Sequence, residues 1–313
     1  MRRIVVAGTI IVDRIKAIAA YPASGELTKI SSVERAVGGL VPNTGRDIRI
    51  LSPDMPVAAF GAVADDEDGR LALDELVARG IDVGGVVRKP GMTSFTDVMS
   101  VAGGERTFFC YPGASAEWGY DDFPFDRITP NDLVLLGYFL LLDRIDAGDG
   151  LRILKRLKEI GAETAIDLVT ENSDRYGLVR ECLPFVDHLI VNETEAARLA
   201  GREGEPAELC AALLGLGVRR RVIVHTPAGG TSLVRGASAV DCPAVVLPKG
   251  FIRGKTGAGD AFCAGSLVGI CRGLSEREIL ELGALAAVGA LSAPGATEGM
   301  RSEQELRELC RSL

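Results

Sequence analysis

Gly-Lys-Thr-Gly-Ala-Gly-Asp-Ala-Phe-Cys-Ala-Gly, residues 254–265, is the most informative stretch of the chain. Small residues lead here into an apolar stripe at helical spacing, which predicts a helix over Ala258–Arg272. Backbone N–H groups in the first turn of a helix have no helical acceptor and attract anions. Because Asp260 stands in that same turn, the stretch predicts an anion site with a base beside it.

An anion site beside a base suits phosphoryl transfer. The N–H groups would hold the charge that develops on the phosphoryl group, while Asp260 takes the proton of an attacking hydroxyl. The residues alone leave an alternative open, in which Asp260 caps a helix after a flexible loop.

Two other nucleotide motifs do not fit the chain. Gly254-Lys255-Thr256 looks like the end of a P-loop, but that loop needs a glycine five positions earlier, where Lys249 stands. The turn after the first predicted strand, Gly8-Thr9-Ile10-Ile11, lacks the Gly-x-Gly-x-x-Gly that approaches a dinucleotide pyrophosphate.

Short apolar runs alternate with amphipathic stretches along the chain, which predicts βα units around a mostly parallel sheet. The predicted strands are Arg3–Ala7, Val57–Phe60, Leu133–Leu136, Thr164–Asp167, His188–Val191 and Arg221–Thr226. The predicted helices are Asp68–Arg79, Leu151–Ile160, Ala258–Arg272, Glu276–Leu291 and Ser302–Leu313. No polar linker interrupts the pattern, so residues 1–313 are expected to form a single α/β domain.

Two stretches break the alternation, Asp13–Val37 and Val87–Tyr111. Both alternate apolar and polar residues and contain turn residues such as Gly103-Gly104, which predicts antiparallel strands. Such strands do not easily join a buried parallel sheet, so we expect a small separate sheet. A small sheet with one apolar face is marginal unless that face is covered, which favours a homodimer through these strands.

Composition excludes several classes of function. The 313 residues carry a net charge of −8 and no basic run, so nucleic-acid binding is not expected. The longest uncharged apolar run, Leu133–Leu142, is ten residues long, whereas a membrane span needs about 20. Seven cysteines without a Cys-x-x-Cys pair predict reduced thiols, and the absence of a signal-peptide pattern indicates a cytoplasmic protein.

The chain has few histidines for metal binding or catalysis. The chain has two histidines, His188 and His225, which excludes a Cys/His zinc site or a His-Glu-x-x-His protease. Both stand at ends of β-branched runs, so we interpret them as strand-capping residues.

Four motifs in order resemble those of the ribokinase-like (PfkB) family of carbohydrate kinases, over nearly the whole chain. Thr256-Gly-Ala-Gly-Asp-Ala-Phe-x-Ala-Gly is similar to its C-terminal signature, and Gly38-Gly39 followed by Asn43 is similar to its sugar-binding motif. Asn192-Glu-Thr-Glu195 resembles the family's Asn-x-x-Glu, and Thr226–Gly230 resembles its nucleotide loop.

The resemblance implies a three-layer αβα domain with a small β-sheet lid, and MgATP as phosphoryl donor. It implies roles for the residues that match the motifs. Asp260 would be the general base, with the amides of Gly257, Ala258 and Gly259 as the anion hole. The others are sugar contacts (Asp13, Gly38, Gly39, Asn43), nucleotide contacts (Asn192, Glu195, Thr226, Gly229, Gly230, Lys255) and, through water, a magnesium contact (Glu195).

Two further residues have open alternatives. Arg106, on a proposed lid strand, would reach over the sugar or its phosphate, or it is a solvated charge. Asp167 ends a predicted strand at the edge where open α/β sheets bind ligands, or it caps a loop.

The sequence departs from the family pattern in three places. The residues that help build a monovalent-cation site in the family are Gly254 and Lys255 here, so the resemblance does not imply activation by such a cation. The Lys255 ammonium supplies the corresponding positive charge, or it points to solvent. Pro227-Ala228 replaces the usual pattern in the nucleotide loop. The region Gly137–Ile145 offers Tyr138 and aliphatic residues, without a polar sugar contact that we could assign.

The expected function is an ATP-dependent kinase acting on a primary hydroxyl of a small sugar or sugar derivative. The stretch Glu105-Arg106-Thr107-Phe108-Phe109 favours a ketohexose or a 2-keto-3-deoxygluconate-like acceptor. A nucleoside kinase of the same fold is the alternative within the enzyme class. A sugar- or nucleotide-sensing protein without turnover is the alternative outside it, and the presence of Asp260 argues against it.

Overall fold

A mostly parallel nine-stranded sheet forms the centre of the computed structural model, which describes residues 2–101, 106–170 and 174–313. The strands are β1 (Arg3–Ala7), β2 (Ile11–Ile18), β3 (Ile30–Gly38), β4 (Val57–Ala64), β5 (Asp82–Lys89), β6 (Phe95–Val101), β7 (Arg106–Tyr111), β8 (Asp132–Phe139), β9 (Glu163–Leu168), β10 (His188–Asn192), β11 (Arg221–Thr226), β12 (Gly229–Val234) and β13 (Val240–Pro243). The sheet order is β13-β12-β11-β10-β9-β8-β1-β4-β5. Strand β12 pairs antiparallel with both β11 and β13 and is the reversed strand among those described, so β13 runs in the direction of the other strands.

Helices cover both faces of this sheet, which confirms the predicted three-layer αβα class. They are α1 (Leu40–Leu51), α2 (Glu67–Ala78), α3 (Gly113–Ala116), α4 (Gly150–Ile160), α5 (Gly177–Arg180), α6 (Glu193–Ala200), α7 (Pro206–Gly215), α8 (Ala258–Arg272), α9 (Glu276–Leu291) and α10 (Glu303–Ser312). Successive residues of β8 enter opposite cores: Val134 and Leu136 pack on one side, and Leu133 and Leu135 on the other. No helix of the described residues is long and apolar enough to span a bilayer.

The packing of α8 against α9 places the signature helix. A Cβ added at Gly265 would lie 2.5 Å from the Leu282 carbonyl oxygen, so glycine allows the two backbones to approach closely. The N-terminus of α8 consequently lies near the carboxyl ends of β9, β10 and β11, the edge where α/β sheets bind ligands.

The lid is a separate four-stranded sheet with the order β3-β2-β6-β7. Each hairpin is antiparallel, but β2 and β6 pair in parallel and join the two hairpins, which the prediction of antiparallel strands did not include. Val87–Lys89 belongs to β5 and pairs with β4 in the main sheet, so the second hairpin begins at Phe95 rather than at Val87. The predicted Gly103-Gly104 turn lies outside the described residues.

Strand register defines the two faces of the lid. Asp13, Thr96 and Cys110 are cross-strand partners and form one row. Two residues further along each strand, Ile15, Val98 and Phe108 form the next row on that same face. Arg106 follows two residues beyond Phe108, so it too lies on the face of Asp13.

Candidate active site

Two adjoining cavities lie at the carboxyl edge of the main sheet. The smaller, of about 160 Å³, is lined mainly by polar groups: Tyr138, Asp167, Thr170, Asn192, Glu195, His225, Gly257, Gly259 and Asp260 among them. The larger, of about 460 Å³, is lined mostly by apolar residues, including Pro227, Ala244, Val245, Leu247, Ile252, Phe262, Ala287, Val288 and Leu291. Asn192, His225 and Gly259 line both cavities, so they mark the junction.

The N-terminus of α8 opens onto this junction. Gly257, the N-cap, has φ of 78°, and an added Cβ would lie 2.5 Å from the Ala296 carbonyl oxygen. The Ala258 amide donates to the Lys255 carbonyl oxygen at 3.3 Å. It is therefore not free to bind an anion, which corrects the predicted anion hole of Gly257, Ala258 and Gly259. At the N-terminus of α8, the amides of Gly257, Gly259 and Asp260 donate to no acceptor in the part of the chain that the structure describes. They form an anion-binding nest at the positive end of the helix dipole.

Asp260 is buried beside these amides, with 5% of its surface exposed. Asn43 Nδ2 donates to its Oδ2 at 2.9 Å. The Tyr138 hydroxyl lies 3.0 Å from both carboxylate oxygens. Burial raises the pKa of Asp260 to about 6, while Asn43 and Tyr138 oppose that rise by binding the charged form. The carboxylate is thus ionised at neutral pH and basic enough to accept a proton.

Asn43 reaches Asp260 from the helix that follows the Gly-Gly motif. Gly39 is the N-cap of α1 with φ of 88°, and a Cβ there would lie 2.8 Å from the Thr9 carbonyl oxygen. Pro42 lies in the first turn, where its missing N–H leaves no helical bond unmade. Asn43 Oδ1 is buried and accepts no hydrogen bond in the part of the chain that the structure describes.

The lid carboxylate Asp13 lies next to the same glycine pair. A Cβ at Gly38 would lie 2.7 Å from Asp13 Oδ2, so a side chain there would displace the carboxylate. Burial raises the pKa of Asp13 to about 6, while a hydrogen bond from Thr96 and the positive charge of Arg106 counteract the rise. Asp13 and Gly38 therefore lie beside each other where the lid meets α1, whose first turn contains Gly39 and Asn43. Arg106 lies on the same face of the lid as Asp13.

Asn192 and Glu195 form the capping box of α6. Asn192 Oδ1 accepts from the Glu195 amide at 2.9 Å, and Glu195 Oε2 accepts from the Asn192 amide at 3.1 Å. Thr170 Oγ1 donates to Glu195 Oε1 at 2.7 Å. The Asn-x-x-Glu spacing thus has a structural role, and it also holds the buried Glu195 carboxylate at the wall of the smaller cavity.

Asp167 completes an acidic edge with Glu195 and Asp260. Burial raises the pKa of Asp167 well above its usual range, and the negative charges of Glu195 and Asp260 raise it further. Carboxylate and hydroxyl oxygens suit Mg²⁺, which takes one or two carboxylates together with phosphate and water. No cluster of three or more acidic, His or Cys side chains with metal-site geometry occurs among the described residues. The donors therefore fit a magnesium ion held largely through phosphate and water.

The nucleotide loop lines the larger cavity in part. Thr226 Oγ1 accepts from the Ala228 amide at 3.0 Å, and Thr226, Gly229 and Lys255 all line the cavity. Gly230 packs instead against Phe262 and Leu280, where an added Cβ would lie 3.0 Å from each side chain. Its role is to let the β11–β12 hairpin pack on α8 and α9.

Sequence reasoning missed two residues of the site. Tyr138 contacts Asp260 directly, whereas the sequence analysis named Tyr138 without assigning a polar contact to its region. His225, interpreted as a strand cap, lies at the junction and stacks on Phe262 with ring centroids 4.9 Å apart. Burial lowers the pKa of His225 to about 4, so its ring is neutral. The signal for His225 was its place at the end of a strand that leads into the predicted nucleotide loop.

Comparison with known proteins agrees with this geometry. The model of the pfkB family of carbohydrate kinases matches residues 1–303. Ribokinase from Arabidopsis thaliana is 24% identical over 98% of this chain and 81% of its own, and adenosine kinase from Schizophyllum commune is 25% identical over 82% and 80%. The structure of Arabidopsis ribokinase complexed with ribose and ATP superimposes with a TM-score of 0.85, 25% identity and 99% coverage of both chains. Thermotoga maritima ribokinase gives a TM-score of 0.85 at 20% identity over 99% and 100%.

Two glycines of the nest are required for different reasons, Gly259 for anion binding and Gly257 for stability. An added Cβ at Gly259 would meet only His225 Cε1, at 3.8 Å, so Gly259→Ala should fold normally but place a methyl group in the anion site. We expect its kcat/KM for the nucleotide to fall by about tenfold or more. Gly257→Ala should instead lower the free energy of unfolding by about 1–3 kcal/mol, because φ and space both require glycine there. Urea unfolding and steady-state kinetics measure both, and a strongly destabilised Gly259→Ala would contradict the assignment.

Proposed function

The chain belongs to the pfkB family of carbohydrate kinases, and we propose that it transfers the γ-phosphoryl group of ATP to a primary hydroxyl of a small sugar or sugar derivative. It is a phosphotransferase with an alcohol group as acceptor, of the ribokinase-related sugar and nucleoside kinases. The observation that carries the proposal is the position of Asp260, a buried base beside free helix amides at the junction of two cavities.

The proposed reaction is a direct in-line transfer. The acceptor hydroxyl oxygen bonds to the γ-phosphorus as the bond from that phosphorus to the bridging oxygen breaks, and ADP leaves with the electron pair. The proton of the hydroxyl moves to the Asp260 carboxylate. The amides of Gly257, Gly259 and Asp260 stabilise the charge on the transferring group.

The nucleotide would occupy the larger cavity, whose apolar walls suit a purine ring. Thr226, Gly229 and Lys255 line the path from that cavity to the nest. A magnesium ion would neutralise the triphosphate, with Glu195 contacting it through water and Asp167 lying on the same acidic edge. Asn192 orients Glu195 through the capping box.

The acceptor would lie between the lid and α1. Asp13 and Asn43 Oδ1 would accept hydrogen bonds from sugar hydroxyls, while the close backbone at Gly38 and Gly39 leaves room for the sugar. Arg106 faces this space and would attract a carbonyl or carboxylate end of the acceptor, which supports a ketohexose or 2-keto-3-deoxygluconate-like substrate.

A nucleoside acceptor is the second candidate, because Phe108 lies on the lid face of Asp13 with 55% of its surface exposed. An exposed aromatic ring there could stack on the nucleobase of such an acceptor.

A non-catalytic sensor would have no need of a general base held between the two cavities. Screening fructose, ribose, 2-keto-3-deoxygluconate, fructose phosphates and nucleosides for acceptor-dependent ADP release separates the candidates.

Asp260→Asn tests the proposed mechanism. The amide keeps the size and the Asn43 and Tyr138 neighbours but cannot accept the proton, so kcat should fall by about 10²–10⁴-fold while ATP still binds. Because the base must be ionised, wild-type kcat should also fall as the pH drops below about 6, where Asp260 becomes protonated. Coupled assays and nucleotide titration measure both. Turnover of Asp260→Asn within a few-fold of wild type would remove Asp260 from the mechanism.

Potassium should have little effect on this enzyme. A Cβ at Gly254 would lie 2.8 and 2.7 Å from the carbonyl oxygens of Ala293 and Pro294, so the carboxylate of the family's cation site has no place here. The Lys255 ammonium would supply the positive charge instead. With tetramethylammonium as the sole monovalent cation, wild type should keep its rate, and Lys255→Thr should lose about tenfold in kcat/KM for ATP. Strong potassium activation of wild type would contradict this.

We also propose that two lids pair in a homodimer. Val33 and Phe109 are each more than half exposed on the face of the lid opposite Asp13, and a second lid would cover them. Light scattering should give the mass of two chains at micromolar concentration, and Phe109→Asp should shift it toward one chain. Leu178→Asp, which changes an exposed leucine outside the lid, is the control. A wild-type monomer mass that is independent of concentration would overturn the proposal.

A further inference from the structure

Tyr138 lies at an irregularity in the central sheet. The register of β8 on β9 pairs Gly137 with Asp167 and Phe139 with Leu168, so Tyr138 is an extra residue between two consecutive partners. Its φ is 57°, and that of Leu140 is 78°, both in the left-handed region that residues with a Cβ seldom adopt. A bulge of this kind re-aims a side chain, and it occurs often beside active sites.

The bulge places Tyr138 on the face of the sheet opposite to the one that regular alternation along β8 predicts. Regular alternation along β8 would send Tyr138 to the core of Val134 and Leu136. That core receives Phe139 instead, and Tyr138 packs in the opposite core, which contains α1 and α8. The tyrosine is thereby directed at the N-terminal turn of α8.

Polar contacts hold the strained segment in place. Asp146 Oδ1 accepts from the Leu140 amide at 2.8 Å, and Arg175 donates to the Leu140 carbonyl at 2.7 Å. Strain of this size persists where the surrounding structure imposes it, and such places are commonly functional.

Tyr138 and Asn43 together leave one hydrogen-bond acceptor position of the Asp260 carboxylate unoccupied. Asn43 occupies Oδ2, and the phenol lies at equal distance from Oδ1 and Oδ2, so its single proton bridges the two oxygens. A carboxylate oxygen accepts two hydrogen bonds, which leaves Oδ1 with a free lone pair. Two donors on separate elements also prevent rotation of the carboxylate plane.

We propose that Tyr138 is a positioning residue that orients the Asp260 carboxylate, so that a lone pair of Oδ1 remains available to the acceptor hydroxyl. This role rests on the proposed function, because it acts through the base. The phenol itself touches neither the phosphoryl group nor the bond that forms.

The role has a pH signature. A hydrogen bond from Tyr138 favours ionised Asp260, so its loss should raise the pKa of Asp260 and move the acid limb of kcat to higher pH. The other titratable or charged groups around Asp260 stay in place: Glu195, Asp167, Asp47, Cys263, His225 and Lys255. The negative charge of Glu195 raises the pKa of Asp260 in wild type and variant alike.

Tyr138→Phe removes the hydroxyl and keeps the ring. We expect kcat to fall about tenfold with the acceptor KM within about twofold, and the acid limb of kcat to rise by about one pH unit. Tyr120→Phe, on a ring that packs with Phe125 away from the site, is the control and should change neither. Thermal unfolding of the two variants should be alike. Unchanged kcat and an unchanged acid limb in Tyr138→Phe would overturn the proposal.

A titration separates this proposal from the proposed function. The Asp γ-carbon signals of ¹³C-labelled protein report the pKa of Asp260 without substrate, and the signal is assigned by its loss in Asp260→Asn. An upward shift in Tyr138→Phe together with the kcat loss supports the positioning role. A shift without any kcat loss shows a contact without that role and overturns it. A wild type that phosphorylates no acceptor overturns the proposed function, and the titration then still reports the contact.

Discussion

The structure depends on keeping a buried carboxylate charged beside other carboxylates. Asp260 is held by two neutral donors, while Asp167 and Glu195 lie on the same edge of the sheet. Burial raises the pKa of all three groups, and the negative charge of Glu195 raises the pKa of Asp167 and Asp260 further. Carboxyl groups with a raised pKa lower the free energy of unfolding once the pH exceeds their pKa in the unfolded chain, because the unfolded chain then releases protons that the folded protein still holds. The sheet and α8 supply the stability that tolerates them, and magnesium and the helix dipole would offset the charge when the triphosphate is bound.

The same arrangement explains why the site is assembled from distant parts of the chain. Asn43 and Asp260 are 217 positions apart and meet because α1 packs beside α8. The lid brings Asp13 to the Gly38-Gly39 turn, so a separate sheet, rather than a loop of the main domain, borders the proposed acceptor side. Asp260, the proposed base, lies at the junction with the cavity proposed for the nucleotide.

Local patterns predicted much of this. The helices Ala258–Arg272 and Glu276–Leu291 end at the predicted residues, because Gly273 and the Ser275 capping box separate them. The strands Arg3–Ala7 and Arg221–Thr226 also match, since buried β-branched runs are unambiguous at that length. The resemblance to the family's motifs implied roles for Asp260, Asn43 and Asp13, and those roles stay predictions. Other features escaped the patterns. Helix α1 contains Pro42 and Gly45, strand β5 contains Gly84 and Gly85, and no local signal marks a bulge that turns Tyr138 across the sheet.

A crystal structure with magnesium, a non-hydrolysable ATP analogue and the acceptor found by screening tests the central claim most directly. The account predicts the γ-phosphoryl group on the amides of Gly257, Gly259 and Asp260, with the acceptor hydroxyl about 3 Å from Asp260 Oδ1 and in line with the bridging oxygen. An acceptor hydroxyl that approaches Asp167 or Glu195 instead, with Asp260 bound only by protein groups, would contradict it.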